Sequence, residues 1–320
     1  MQLRVRSITY EAAGINAYEL VDPTGAALPP FTAGSHLDVH PPGNFIRQYS
    51  LCNDPRERHR YVIGVLNVGG GRGGSKAMHE NVRAGDLLTV SVPRNNFPLI
   101  ENAKRHLLLA GGIGVTPMMA MVEALAARGA DFKVIYCSRS PDLTAFRDRL
   151  RPHAEAGRVT FHHDEGDPLR GLDVAAALSE HEEGTHLYCC GPGGLMNAVK
   201  AAAAHWPAGA VHFEFFSVPV VAPAAPTAPI AQAEDRFEIK LAGSGAIFTV
   251  PHDKSIVEVL RENGVECETS CEAGICGTCR TRYLEGTPDH RDYVLSDEEH
   301  EEFVMICCAR SQSKVLVLDR

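Results

Sequence analysis

The stretch SCEAGICGTC, residues 270–279, sets Cys271, Cys276 and Cys279 in the spacing C-x4-C-x2-C. In this spacing one loop supplies three thiolates to a 2Fe–2S cluster and the fourth comes from far downstream. Four are needed because each iron is tetrahedral and shares two inorganic sulfides with its neighbour. Gly274 and Gly277 let the loop wrap tightly and bring backbone N–H groups to sulfur, which stabilises added negative charge. A zinc site competes, but structural zinc usually draws on two separated CxxC pairs, whereas here three cysteines crowd one loop. For the fourth ligand Cys307 and Cys308, adjacent in VMICCARS, and the upstream Cys267 all stay open. Neighbours on a strand point to opposite faces, so only one of Cys307 and Cys308 is expected to face a cluster. Cys52, Cys137 and Cys189 stand alone and read as small core residues.

Outward from the loop, residues 236–240 and 246–250 read as a hairpin pair. Residues 255–263 read as a short helix with Ser255 as N-cap and Glu258 at N3, a capping box. KVLVL, residues 314–318, closes a small α+β module as a strand. Upstream, residues 217–235 read SVPVVAPAAPTAPIAQAED, with Pro219, Pro223, Pro226 and Pro229. Repeated proline removes backbone donors and favours extended polyproline conformation, so this is expected to be a semi-stiff spacer.

Before the spacer two textures succeed each other. Residues 37–40, 61–67 and 87–92 are β-type runs between Gly, Pro and Asn turns, which predicts an antiparallel barrel or sandwich. From His106 the pattern becomes strand, glycine turn, helix: LLLAG into GIGVTP and MMAMVEALAARG, then FKVIYCS, then HLYCCG into PGGLMNAVKAAAAHW. That alternation predicts a parallel α/β sheet. The expected organisation is multidomain, with an antiparallel β-barrel at 1–101, an α/β parallel-sheet domain at 102–217, a linker at 218–233 and the α+β module at 234–320.

Composition narrows the function classes. The 320 residues carry 31 basic and 40 acidic side chains, a net charge of −9, which disfavours a phosphate-seeking nucleic-acid surface. The charge is uneven: residues 234–320 hold 18 acidic and 10 basic residues, a net of −8. Arg4 and Arg6 interrupt any signal-peptide core, and the apolar stretch at 107–122 is too short and too broken by glycine to span a membrane. A cytoplasmic chain with reduced cysteines is expected.

Phosphate and nucleotide signals lie in the first two domains. AGGIGVTP, residues 110–117, joins a strand to a helix with glycines suited to a dinucleotide pyrophosphate, though only Gly112-x-Gly114 matches the GxGxxG fingerprint. Cys190-Gly191-Pro192-Gly193 makes a second such turn, and two at one sheet edge would form a shared crevice. GGGRGGSK, residues 69–76, has the wrong order for a P-loop, yet a helix opening near Ser75 could bind a phosphate through its N–H groups. Arg47-Gln48-Tyr49-Ser50 offers a cation, an aromatic ring and a hydroxyl. His162, His163 and His181 lack a paired ligand at helical spacing and read as exposed or structural, and no GxSxG nucleophile is present.

Taken in order, RQYSL, GGIGVTPMM, CCGPGGLM, VHFEFF and SCEAGICGTC resemble the phthalate dioxygenase reductase family, in the branch that includes vanillate O-demethylase reductases. GRGGS, RNNFPL and DHRDYVL extend the resemblance over essentially the whole chain. It implies FMN, NADH and a plant-type 2Fe–2S ferredoxin domain in one polypeptide that feeds a Rieske-type oxygenase. By that resemblance Arg47 would hold the FMN phosphate, Tyr49 and Ser50 would contact the flavin ring, with Ser50 near N5, and Gly73, Gly74 and Ser75 would form the phosphate-side turn. Gly112, Gly114 and Thr116 would line the nucleotide site, with Cys190, Gly191 and Pro192 beside the nicotinamide. Phe216 would shield the flavin face, although Phe215 adjoins it. Cys271, Cys276, Cys279 and Cys307 would hold the cluster. Arg139, after the second α/β strand, could pair with a 2′-phosphate, but the family carries a similar arginine and prefers NADH. An electron donor to a P450 or other acceptor, and a zinc-stabilised nucleotide-binding regulator, are the alternatives. A monomer is expected, with no membrane partner.

Nicotinamide delivers two electrons as a hydride and a 2Fe–2S cluster accepts one, so a flavin has to stand between them. The spacer is then expected to let the ferredoxin module reach the flavin. Deleting several of its residues should slow flavin-to-cluster transfer in stopped flow; an unchanged rate would reject that role.

Overall fold

The computed structural model describes residues 1–43, 45–69, 73–216 and 236–320. The Pro/Ala spacer and Gly70, Gly71 and Arg72 of the GGGRGGSK stretch lie outside the described residues. The chain divides into two compact units, Met1–Phe216 and Ser217–Arg320.

The first unit opens with β1 (Gln2–Ala12), β2 (Ile15–Val21), β3 (Ser35–His40), β4 (Arg47–Ser50), β5 (Tyr61–Leu66), α1 (Gly74–Asn81), β6 (Leu87–Val90) and β7 (Arg94–Asn95). These strands pair antiparallel in the order β4-β3-β6-β1-β2-β5, with β7 on β3. The two ends meet. Leu51, next after β4, bridges Ile63 of β5, and the Cys52 N–H donates to the Val62 carbonyl at 2.7 Å. The sheet therefore closes into the expected barrel. Alternation turns Leu3, Val5, Tyr18, Leu20, Leu37, Val39, Ile63 and Val65 fully inward.

The α/β layer follows as β8 (Arg105–Gly111), α2 (Val115–Ala127), β9 (Asp131–Ser138), α3 (Arg147–Glu155), β10 (Val159–His163), α4 (Val174–Ala177), β11 (Thr185–Cys190), α5 (Gly193–Ala202) and β12 (Val211–Glu214). All five strands are parallel in the order β10-β9-β8-β11-β12. The order reverses between β8 and β11, and ligands of such sheets bind at the carboxyl ends of the strands at that switch point. Both glycine turns lie there. The barrel packs on this layer through a shared core, closely enough that a Cβ on Gly64 of β5 would lie 2.8 Å from the Thr116 methyl.

The second unit comprises β13 (Phe237–Leu241), β14 (Ile247–Val250), α6 (Ile256–Glu262), β15 (Arg280–Glu285), β16 (Pro288–Asp289), α7 (Asp297–His300), β17 (Phe303–Met305), β18 (Arg310–Ser311) and β19 (Val315–Leu318). Its main sheet runs β14-β13-β19-β15-β17, with β16 and β18 paired apart. The expected hairpin and closing strand are present, and α6 carries the Ser255–Glu258 capping box. Its apolar face, Ile256, Val257 and Leu260, shares a core with Ile239, Leu316 and Leu318. One expectation fails. Cys307 and Cys308 lie in the turn after β17, not on a strand, so alternation does not decide between them.

At the switch point the glycines meet each other. A Cβ on Gly111 would lie 2.6 Å from Pro192 Cδ, and one on Gly114 would lie 2.2 Å from the Cys190 carbonyl oxygen. Gly194 in α5 has open space around the same position. Gly114→Ala should therefore destabilise the first unit by about 3 kcal/mol, whereas Gly194→Ala should be neutral or slightly stabilising. Denaturant unfolding followed by near-UV circular dichroism checks the contrast; equal effects would contradict it.

Candidate functional site

On the barrel side, Arg47, Tyr49 and Ser50 are consecutive parts of β4, and α1 begins beside them. Gly73 caps α1 in the left-handed region, at φ 84°, and no side chain caps the helix. A Cβ on Gly74 would lie 2.6 Å from Arg47 Cγ and Nε, so the missing side chain is what lets Arg47 lie against the helix start. The Arg47 Nη1 donates to the Ile46 carbonyl at 2.8 Å and the guanidinium stands 5.2 Å from the Phe45 ring centre. A cation beside the positive end of a helix suits a phosphate. Ser75 Oγ accepts from the Val68 N–H at 3.3 Å. The Tyr49 hydroxyl is buried with no hydrogen-bond partner among the described residues, and burial pushes its pKa up. A ligand with polar atoms would satisfy it. These residues fit a phosphorylated cofactor.

At the switch point, Gly112 takes φ +53° with open space at its missing Cβ, while Gly114 packs on Cys190. Internal packing against the Cys190 carbonyl is therefore one reason for glycine at 114. Thr116 is buried, donates to the Ile113 carbonyl at 2.9 Å and turns its methyl to Gly64. Gly191 and Pro192 stand against Gly111, and Arg139 is exposed after β9. Cys190 is fully buried, and burial followed by the Glu214 charge drives its thiol well above the ordinary range. Phe215 stacks on Phe213 against the core, whereas Phe216 is 46% exposed. Of Phe215 and Phe216, Phe216 offers the more open ring.

Glu214 was not singled out from the sequence, although one carboxylate in the aromatic run VHFEFF was the available signal. It ends β12 in register with Cys190, and Ser50, 3% exposed on the barrel, donates to its Oε2 at 3.4 Å. Desolvation raises the Glu214 pKa to about 8, with Ser50 opposing. The barrel and the α/β layer thus meet at a carboxyl that holds its proton at neutral pH. The histidines expected to be structural engage local groups: His162 with the Arg170 carbonyl, His163 with Thr144, and His181 with the Thr185 carbonyl.

In the second unit Cys271, Cys276, Cys279 and Cys307 are all buried and converge. Cys271 interacts with Cys276 and Cys307, and Cys307 also with Cys279 and Cys308. Cys307 is thus the one of the adjacent pair that reaches two cysteines of the loop. Those thiols, Cys271 first, pull Cys307 far below the ordinary range, and Cys271 also lowers Cys276, to about 6. Backbone N–H groups of Ala273 and Ile275 donate to the Cys271 sulfur, and that of Gly274 to Cys307. Four buried sulfurs served by amide donors fit a 2Fe–2S cluster. Cys267 stands apart, accepting from Arg320 Nη1 at 3.6 Å.

Comparison with known proteins agrees with this geometry. Residues 239–312 match the 2Fe-2S iron-sulfur cluster binding domain, and residues 91–209 match the dimethylamine monooxygenase subunit DmmA-like N-terminal domain. The chain is 51% identical to the tert-butanol monooxygenase / tert-amyl alcohol desaturase reductase subunit of Aquincola tertiaricarbonis, over 100% of this chain and 96% of that one. It is 44% identical to vanillate O-demethylase oxidoreductase of Pseudomonas sp., over 100% and 99%. Among solved structures it is similar to phthalate dioxygenase reductase, at 43% identity and TM-score 0.74, over 100% and 98%. It is also similar to an intact type IV self-sufficient cytochrome P450 monooxygenase, at 36% identity and TM-score 0.88, covering 100% of this chain and 41% of that one. With relatives this similar along its whole length, the chain belongs to the phthalate dioxygenase reductase family.

Proposed function

We propose that the chain is the reductase component of a Rieske-type aromatic oxygenase or demethylase system, passing electrons from NADH through FMN to a 2Fe–2S cluster and on to the oxygenase. The observation that carries this reading is the pocket of four buried thiols in a chain whose other unit joins a phosphate-suited barrel edge to a nucleotide-type switch point. Arg47, Gly73, Gly74 and Ser75 would hold the FMN phosphate, with Tyr49 and Ser50 along the ring. Gly112, Gly114 and Thr116 would line the nicotinamide nucleotide site with Gly191 and Pro192, Cys190 would back it, and Phe216 would shield the exchange face. Cys271, Cys276, Cys279 and Cys307 would hold the cluster. Bound flavin supplies acceptance of a hydride's two electrons together and their release one at a time.

The residue that manages the proton is Glu214. Its folded pKa of about 8 lies above the ordinary carboxylate value, so the protonated form favours the fold. That contribution is full below about 4.5, the unperturbed value, and is lost as pH rises through about 8. Desolvation keeps the proton on this carboxyl at the barrel edge, where the Ser50 hydroxyl reaches it and opposes the shift. Reduction by NADH should fall as pH passes about 8. Glu214→Gln should flatten that profile and slow reduction about a hundredfold, as read by stopped-flow absorbance. An unchanged profile would remove Glu214 from the reaction.

Among the described residues no helix is long and apolar enough to cross a membrane. The proposed setting is a cytoplasmic monomer with no nucleic-acid partner, docking through its acidic C-terminal module on a basic oxygenase surface. The likeness to a P450 fusion favours P450 as a second acceptor class. Reconstitution tests both. NADH should bleach flavin and iron–sulfur bands, and turnover with a Rieske oxygenase should weaken as salt rises. Salt-independent coupling rejects the docking surface, and transfer only to a P450 haem selects the second reading.

A further inference from the structure

DHRDYVL entered the sequence reading only as part of the family resemblance, with no chemistry attached. In the fold its His290 and Asp292 meet His300, the last residue of α7. Their ligand atoms all lie within 4.8 Å of one another. The Asp292 side chain has no exposed surface, while His290 and His300 keep 20% and 24%. Asp292 Oδ1 accepts the N–H groups of Val294 and Leu295, at 3.2 and 2.9 Å, which turns Oδ2 toward the two imidazoles. His300 Nε2 lies 3.1 Å from Oδ2. His290 Nδ1 lies 4.0 Å from it, too far for a hydrogen bond, and is buried with no partner among the described residues. The two rings stack with centroids 4.0 Å apart.

A hydrogen-bond network accounts for His300, and the His290 ring meets the His300 backbone carbonyl, but the buried Nδ1 of His290 still faces a carboxylate it does not reach. One cation between the three atoms would satisfy all of them. Zinc bonds of about 2.0–2.1 Å to imidazole and carboxylate place tetrahedral ligand atoms about 3.3 Å apart; Asp292 Oδ2 lies 3.1 and 4.0 Å from the two imidazole nitrogens and all three atoms lie within 4.8 Å of one another, so the His290 ring has to draw in as the cation binds. Burial, and then the neighbouring His300, hold His290 below its ordinary pKa, so the ring is neutral as a metal ligand has to be. We propose that His290, Asp292 and His300 form a second metal site, separate from the four thiols, for a borderline divalent cation of the zinc class, with water completing the coordination.

The site is joined to the cysteine loop by backbone. The Tyr293 N–H donates to the Gly274 carbonyl at 2.9 Å, and the Asp292 Cα lies 3.1 Å from where a Gly274 Cβ would be. A cation there would tie α7 to the loop that bears Cys271 and Cys276. The test uses the full, cluster-loaded chain, stripped of loose metal with a chelator and dialysed against zinc alone. Bound metal is counted by mass spectrometry, and the iron–sulfur absorption certifies the fold. One saturable zinc per chain is expected beyond the cluster iron, with His290→Gln and His300→Gln each weakening it at least about tenfold. The two variants are read independently, so loss of the cluster in one still leaves the other informative. Absence of saturable zinc overturns the site. So does zinc bound by both variants as tightly as by the unaltered chain, which would place it on thiols such as Cys267 or Cys308.

Discussion

Two backbone turns press together at the reversal of the parallel sheet, where no Cβ fits at Gly111 or Gly114. The rest of the first unit is arranged around that contact. It fixes the ends of β8 and β11 side by side, which sets Cys190 next to Glu214 through the β11–β12 register. It also starts α2 at the height where Thr116 meets Gly64 of the barrel. Two layers with different folds are thereby held so that a barrel hydroxyl, Ser50, reaches a carboxyl from the sheet. A larger residue at 114 would separate the strands before it touched any ligand.

The elements with strong periodicity were legible in the sequence. Barrel strands β3, β5 and β6, the strand–turn–helix repeats around β8 and β11 and the capping box of α6 are local patterns, each fixed by side chains within a few residues, whereas β1 and β2 were not read. The three-cysteine loop is equally local. The barrel was expected, but the pairing that closes it, Leu51 with Ile63, was not readable, because no periodicity announces it. The placement of Cys307 and Cys308 was misread because an apolar run, VMICC, looks like a continuing strand, while β17 ends at Met305. Glu214 escaped because its significance lies in Ser50, 164 positions away along the chain. The packing of Gly114 on the Cys190 carbonyl escaped as well, because it joins two turns far apart along the chain.

Charge and burial work against each other in the C-terminal module. Residues 234–320 carry a net −8, and α7 with its flanking residues concentrates Asp297, Glu298, Glu299, Glu301 and Glu302. Adding thiolates to so acidic a module is unfavourable unless local dipoles oppose the field. The donors that do so are backbone amides, which bring partial positive charge without a side chain. Ala273 and Ile275 serve Cys271, and Gly274 serves Cys307. The acidic surface can then face a partner while the sulfurs remain stabilised from within.

Gly274 shows how many demands one position in that loop answers. Its φ of +70° lies in the left-handed region that side chains rarely adopt. Its missing Cβ would lie 2.6 Å from the Cys308 sulfur and 3.1 Å from the Asp292 Cα, so the turn after β17 and the DHRD segment both close on it. Its carbonyl receives the Tyr293 N–H at 2.9 Å while its own N–H reaches Cys307. An alanine there would strain the backbone, displace Cys308 and push Asp292 away from the two histidines. The spacing C-x4-C-x2-C counts cysteines, but the glycine within it is what brings the downstream cysteine and the histidine–aspartate group to the same loop.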